Sequence, residues 1–320
     1  MSFSGDVKEE LSRQVPQSRH CQIAELAALI SMCGSVVNDG NGKFYIQFCT
    51  EKVTVARKCF TLVEKTFNIK ADIAIRRNPV RKNVSYFVNV KGHENALRIL
   101  QATKLIGEHG YSCGELHIVN YVVIQQSCCK RAFLRGAFLA AGSMSDPKKA
   151  YHFEIVCFSQ GIAKLIQKII CSFSMDAKIV TRKKAYVVYL KEGSQIVDML
   201  NIMEAHVSLM ELENVRILKE MRNAVNRKVN CETANINKTV SAAVKQIKDI
   251  AYIRDTIGLD KLSEGLQELA VLRLEHADAT LKELGELLEP PVGKSGVNHR
   301  LRKLGEIADR VRQNKEDYYD

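Results

Sequence analysis

The chain has 320 residues, 46% apolar and 26% charged, an ordinary balance for a protein with two or three hydrophobic cores. No run approaches the roughly 18 consecutive apolar residues of a membrane helix, and the opening Met1–Glu10 turns polar too soon for a signal peptide, so a cytosolic, non-membrane protein is expected. The net charge of +11 suits a polyanionic partner such as nucleic acid.

Along the chain the first signal is an internal repeat. Leu26-Ala27-Ala28-Leu29-Ile30-Ser31-Met32-Cys33-Gly34 matches Leu134-Arg135-Gly136-Ala137-Phe138-Leu139-Ala140-Ala141-Gly142, an offset of 108 residues. Each copy reads as an apolar helix with small residues on one face, closed by a glycine suited to a left-handed C-terminal cap. After the first copy the pattern predicts a strand over 43–49, a helix over 52–67, strands over 71–77 and 84–91, and a helix over 94–104. After the second it predicts a strand over 151–158, a helix over 162–173, strands over 178–182 and 185–191, and a helix over 194–203. The expected fold class is therefore α+β, a pseudo-dimer over 1–205 with repeats at about 20–105 and 128–205.

From Val207 onward the pattern is helical. A helix through Leu209–Met221 leads into the Asn-rich segment 226–238, a second helix is expected over 239–253, and a helical linker is placed at 206–257. Residues 258–320 read as a compact terminal bundle. Charge reverses sharply inside it: 255–289 carries 3 basic and 9 acidic residues, whereas 294–312 carries 6 basic and 2 acidic.

Ten cysteines are present, mostly in apolar runs. No CxxC pair occurs and no Cys/His cluster has zinc-ligand spacing, so no metal or cofactor is predicted and the thiols read as reduced. Adjacent Cys128-Cys129 is the pair that could be redox-sensitive.

The paired small-residue helices resemble the LAGLIDADG motif of homing endonucleases. That family presents an acidic residue at the penultimate motif position to bind the divalent metal for cleavage, because Mg²⁺ takes hard oxygen ligands. The resemblance puts those positions at Cys33 and Ala141, neither of which is a carboxylate; Asp39 and Asp146 lie beyond the motif glycines. An enzyme is not expected, and a metal-dependent endonuclease is the alternative reading. The basic hairpins, with Arg76, Arg77, Arg81, Lys82, Arg182, Lys183 and Lys184, suit phosphate contacts, or equally charged turns that discourage edge pairing, and a protein-binding surface is a third reading of this domain.

The terminal bundle carries the sharper signal. Thr280-Leu281-Lys282-Glu283 is a capping box, Gly285 permits close packing, and Glu289-Pro290-Pro291-Val292-Gly293 must end the short helix. The next helix buries Val297, Leu301, Leu304 and Ala308, and a supporting helix over 262–273 adds Leu262, Leu266, Leu269, Ala270 and the stem of Arg273. Opposite the buried stripe lie Ser295, Asn298, His299 and Arg302, flanked by Arg300 and Lys303. Amides and guanidinium groups match base edges in the major groove, and flanking cations match phosphate. The pattern is a helix-turn-helix with Thr280, Lys282, Lys294, Ser295, Asn298, His299, Arg300, Arg302 and Lys303 as candidate contacts to double-stranded DNA.

Over essentially its whole length the chain resembles the WhiA family of bacterial regulators. The opening Ser4–Leu11, both degenerate LAGLIDADG copies and the segment Val225–Asn235 carry the resemblance. It implies a nucleoid-associated transcription factor linked to sporulation, cell division or chromosome segregation. Its helix-turn-helix is similar to the promoter-reading domain of sigma factors, which makes RNA polymerase or its sigma factor a further candidate partner.

Overall fold

Two copies of one α/β unit, each built on a motif helix, organise the first part of the chain in a computed structural model that describes residues 2–38, 43–78, 83–106 and 119–316. A short helix, α1 (Phe3–Arg13), precedes them, N-capped by Ser2 Oγ. The first copy runs α2 (Arg19–Cys33), β1 (Gly34–Asn38), β2 (Phe44–Thr50), α3 (Val53–Phe67), β3 (Asp72–Asn78), β4 (Asn83–Val90) and α4 (His93–Ala102). The second runs α5 (Ser127–Ala141), β5 (Gly142–Met144), β6 (Phe153–Cys157), α6 (Gln160–Cys171), β7 (Lys178–Arg182), β8 (Ala185–Leu190) and α7 (Gly193–Met203). Both sheets are antiparallel with equivalent orders, β1-β2-β4-β3 and β5-β6-β8-β7. The sequence pattern predicts three strands per copy; β1 and β5 are too short and too mixed to show an alternation.

The motif glycines are not left-handed caps. Gly34 (φ −93°, ψ 155°) and Gly142 (φ −80°, ψ 153°) are extended and begin β1 and β5. Space is what demands glycine there: a Cβ would lie 2.6 Å from Ile30 O at Gly34 and 2.2 Å from Phe138 Cδ2 at Gly142. Between the copies α2 packs against α5. A Cβ on Gly136 would stand 2.5 Å from Glu25 O and 3.0 Å from the Cβ of Ala28, its mate in the repeat. Small residues thus bring the two backbones together, and a core including Leu26, Leu29, Ile30, Phe133 and Phe138 closes around them.

A buried polar network crosses this apolar core. Glu25 on α2 is fully buried, with Lys58 Nζ of α3 at 2.8 Å and Arg135 Nε of α5 at 3.4 Å from its Oε1. Lys58 also donates to the carbonyls of Leu11 and Gln14, capping α1. Arg135 donates to Met203 O (3.2 Å) and to Glu204 Oε2 (2.6 Å), capping α7. One carboxylate therefore holds two cations, and each cation satisfies the open carbonyls of a different helix terminus. Burial pushes Glu25 up and Lys58 down, against their mutual attraction.

The chain separates by its contacts into residues 1–220 and 221–320. The division falls within α8 (His206–Thr256), a single helix of 51 residues. Two helices separated by the Asn-rich segment are expected from sequence, but the helix continues through it. No Pro or Gly occurs between Ala205 and Thr256, and the asparagines, exposed, hydrate without breaking the ladder. In the second unit α8 is followed by α9 (Glu264–Glu275), α10 (Leu281–Glu286) and α11 (Lys294–Glu316). Among the described residues no helix is long and apolar enough to cross a membrane.

Candidate nucleic-acid interface

In the second unit α9, α10 and α11 form a tri-helical cluster around Leu266, Leu269, Ala270, Leu284, Leu288, Val297, Leu301, Leu304 and Ala308, joined by Ile250 and Ile253 from the end of α8. The capping box forms as its spacing predicts: Thr280 N donates to Glu283 Oε2 at 2.7 Å and Glu283 N to Thr280 Oγ1 at 3.3 Å. The Thr280 backbone N–H holds the Glu283 carboxyl below the usual range. Past α10 the chain turns back, and Val292 N donates to Gly285 O at 2.9 Å. A Cβ on Gly285 would sit 2.1 Å from Val292 O, so the turn closes only over glycine. Arg273 is buried as expected, donating from Nη1 to Ala279 O at 2.6 Å.

One face of α11 is thereby locked and the other is exposed. Lys294, Ser295, Asn298, His299, Arg302 and Lys303 are all exposed. Arg300 is not free on the flank: it is half-buried against α9, with Nη1 3.3 Å from Gly265 O. Nor does Asn298 stand at the centre of the open face. With Arg302 it borders a groove of about 320 Å³ between α11 and α8, opposite Lys245 and Gln246. At 3.6 residues per turn Ser295 and His299 lie most directly opposite the buried stripe, with Arg302 toward one side and Lys303 toward the other. Arg302 Nε reaches Glu306 Oε1 at 3.5 Å, an exposed pair of little energetic weight. Thr280 is occupied as the cap, and exposed Lys282 lies 3.7 Å from Glu286.

The first unit shows what replaced the metal-binding carboxylates. Cys33 and Ala141 end α2 and α5 and are half-buried, and Cys33 Sγ donates to Leu29 O. Asp146 serves a turn, its Oδ1 accepting from Lys148 N at 2.9 Å; Asp39 lies outside the described residues. Lys8 of α1 approaches the same helix ends, its Nζ 5.7 Å from the Phe138 ring and close enough to Cys33 and Lys52 to feel both. Burial, and then Lys52, lower its pKa to about 8. An ammonium group thus stands near Cys33, one of the two positions where the LAGLIDADG resemblance would put a carboxylate. No sequence pattern marked Lys8; its appearance in an otherwise acidic helix start was the available signal.

Lys8 gives a measurable pH dependence. Its folded pKa lies below its unfolded value, so the unfolded chain binds more protons between about 8 and 10.5 and stability rises with pH across that window. Lys8→Met should abolish that rise and stabilise the protein at pH 7 by on the order of 1–3 kcal/mol. Urea unfolding at pH 7 and pH 10 checks it; an unchanged pH slope would contradict the assignment.

Among the hairpin cations, Arg76 and Arg77 are exposed on β3, while Arg81 and Lys82 lie outside the described residues. Arg182 is engaged, with Nη1 3.0 Å from Glu154 Oε2. Burial opposes ionisation of Glu154, but His152, Ser143 and Arg182 together hold its carboxyl low. Lys183 and Lys184 form the exposed turn between β7 and β8.

The architecture defines a class: a pseudo-dimeric LAGLIDADG-like core whose motif carboxylates are absent, followed by a helix-turn-helix unit. Residues 19–106 match the WhiA N-terminal LAGLIDADG-like domain, 130–222 the WhiA LAGLIDADG-like domain and 225–308 the WhiA C-terminal HTH domain. The chain is 59% identical over 314 residues to the "Probable cell division protein WhiA" of Lachnoclostridium phytofermentans, covering 98% of this chain and 100% of that protein. It is 52% identical over 317 residues to the protein of the same name from Alkaliphilus oremlandii, covering 98% and 99%. The crystal structure of full-length DUF199/WhiA from Thermatoga maritima aligns with a TM-score of 0.60 at 25% identity, covering 97% of this chain and 99% of that one. The chain belongs to the WhiA family.

Proposed function

We propose that the chain is a DNA-binding transcriptional regulator that reads double-stranded DNA with α11 and does not cleave it. The carrying observation is the exposed face of α11, where Lys294, Ser295, Asn298, His299, Arg302 and Lys303 stand on a helix whose opposite face is fixed by α8, α9 and α10. Placed in the major groove, such a helix offers an amide and a guanidinium to base edges and ammonium groups to phosphate. The names of the relatives favour a role in cell division, and the family resemblance extends that to chromosome segregation or sporulation. RNA polymerase or its sigma factor is the further partner on this reading, and the cytoplasmic nucleoid the place of action. Lys8 beside Cys33 supports a core without metal-dependent nuclease chemistry.

Incubation with duplex DNA and Mg²⁺ tests both halves of the proposal. Binding without cleavage is expected; cleavage would establish the endonuclease reading instead. Exposed Arg76, Arg77, Lys183 and Lys184 suggest that the first unit adds phosphate contacts, so full-length protein should show a steeper salt dependence than the fragment 235–320. Equal slopes would remove the first unit from the DNA interface.

A further inference from the structure

Four metal-ligating side chains meet at the ends of α2 and α5 remote from Gly34 and Gly142. His20 and Cys21 lie in the first turn of α2; Cys128 and Cys129 lie in the first turn of α5. His20 Nδ1 is 3.2 Å from Cys129 Sγ, 3.3 Å from Cys21 Sγ and 4.0 Å from Cys128 Sγ. All four ligand atoms lie within 4.8 Å of one another, and no other such group is found among the described residues. The pairs are separated by the same 108 residues as the motif repeat, so the pseudo-symmetry that joins the helices also joins the ligands. Along the chain no Cys/His cluster has zinc-ligand spacing; the fold brings these four residues together in space. The ligands come as two adjacent pairs far apart in sequence, a spacing that resembles no linear zinc motif.

We propose that His20, Cys21, Cys128 and Cys129 form a Cys₃His zinc site that staples the two LAGLIDADG-like copies together. Tetrahedral zinc, with bonds of about 2.3 Å to sulfur and 2.0–2.1 Å to nitrogen, spaces its ligands about 3.5–3.8 Å apart, so only small side-chain adjustments are needed here. Three thiolates and one imidazole favour Zn²⁺ over hard cations such as Mg²⁺. Four protein ligands fill the coordination shell, which makes the site structural rather than catalytic. Binding replaces each of three S–H bonds with a Zn–S bond and releases three protons. The product carries net charge −1, which the positive ends of α2 and α5 favour. Without metal, burial and the neighbouring thiols push the Cys21 thiol up to about 12. Cys21 and Cys129 are buried while His20 and Cys128 are exposed, leaving a path for the ion to enter.

The test uses the full chain, purified under reducing conditions, loaded with zinc and dialysed. Elemental analysis should find about one zinc per chain, as a single closed tetrahedral site requires. Replacing zinc by Co²⁺ should give the sulfur-to-cobalt charge-transfer and visible bands of a tetrahedral thiolate site. The double variant His20→Ala/Cys128→Ser, altered only at exposed positions, should lose both the zinc and the cobalt bands while keeping the parent's circular dichroism. Chelation should lower the Tm of the parent and leave that of the variant unchanged. A parent that retains no zinc and gives no cobalt bands overturns the proposal even if the variant fails to fold. So does a folded variant that binds zinc as the parent does, or a parent that holds a Cys21–Cys128 or Cys21–Cys129 disulfide and takes up metal neither before nor after reduction.

Discussion

Lys58→Ala should destabilise the first unit by about 3–5 kcal/mol, because it removes one partner from a buried charge cluster. Both Lys58 and Glu25 have side chains wholly inaccessible to solvent, so water cannot take the missing place. Glu25 would keep Arg135 Nε at 3.4 Å, but Arg135 is already committed to Glu204 and to Met203 O. The carbonyls of Leu11 and Gln14 would also lose their donor, so α1 would lose its C-terminal cap. The deficit should depend on pH in a definite direction. Burial holds the Glu25 carboxyl above its unfolded value, so the folded state binds the extra proton. Stability relative to the parent should therefore recover as pH falls through the raised pKa toward about 4.3, the ordinary value for glutamate. Urea unfolding of Lys58→Ala and of Lys58→Ala/Glu25→Gln separates the stranded charge from lost packing. The double variant should be less impaired than Lys58→Ala, since no unpaired carboxylate remains. Equal losses would show that packing alone is at stake.

Arg302→Ala should cost about 1–3 kcal/mol on the preferred duplex and relax the preference at one base pair, if the guanidinium pairs with a guanine edge. Its exposed contact to Glu306 is weak enough to be exchanged for DNA. Lys303 lies toward the side of the exposed face of α11 and carries a point charge rather than a fork. Lys303→Ala should therefore weaken binding to all sequences alike and lower the salt slope by roughly one unit. Binding of both variants to a preferred and a scrambled duplex at two salt concentrations distinguishes the roles. If Arg302→Ala weakens both duplexes equally, α11 anchors the protein electrostatically and the base preference arises elsewhere.

Sequence alone was sufficient for the features set by local periodicity. The repeat at 108 residues, the missing motif carboxylates at Cys33 and Ala141, the Thr280 capping box and the buried stripe of Val297, Leu301, Leu304 and Ala308 are all legible in it. Each is a pattern within a few turns of one helix, or a comparison of two such patterns. Tertiary structure alone decided which side chains from distant segments meet. Glu25 and Arg135 look like isolated charges in apolar runs, and Lys58 like half of a surface Arg57-Lys58 pair, until α1, α3, α5 and α7 surround them. For Glu25 and Arg135 the single charge among apolar neighbours was the only hint, because burial of an ion is tolerable only beside a partner that the chain supplies from elsewhere. Arg300 turns inward because Gly265 on α9 leaves room for its guanidinium, and Asn298 lies toward the groove because α8 packs beside it. The same logic hid His20, Cys21, Cys128 and Cys129. Along the chain only Cys128-Cys129 draws notice, as adjacent thiols, and the pseudo-symmetric apposition of α2 and α5 makes one tetrad of the two pairs.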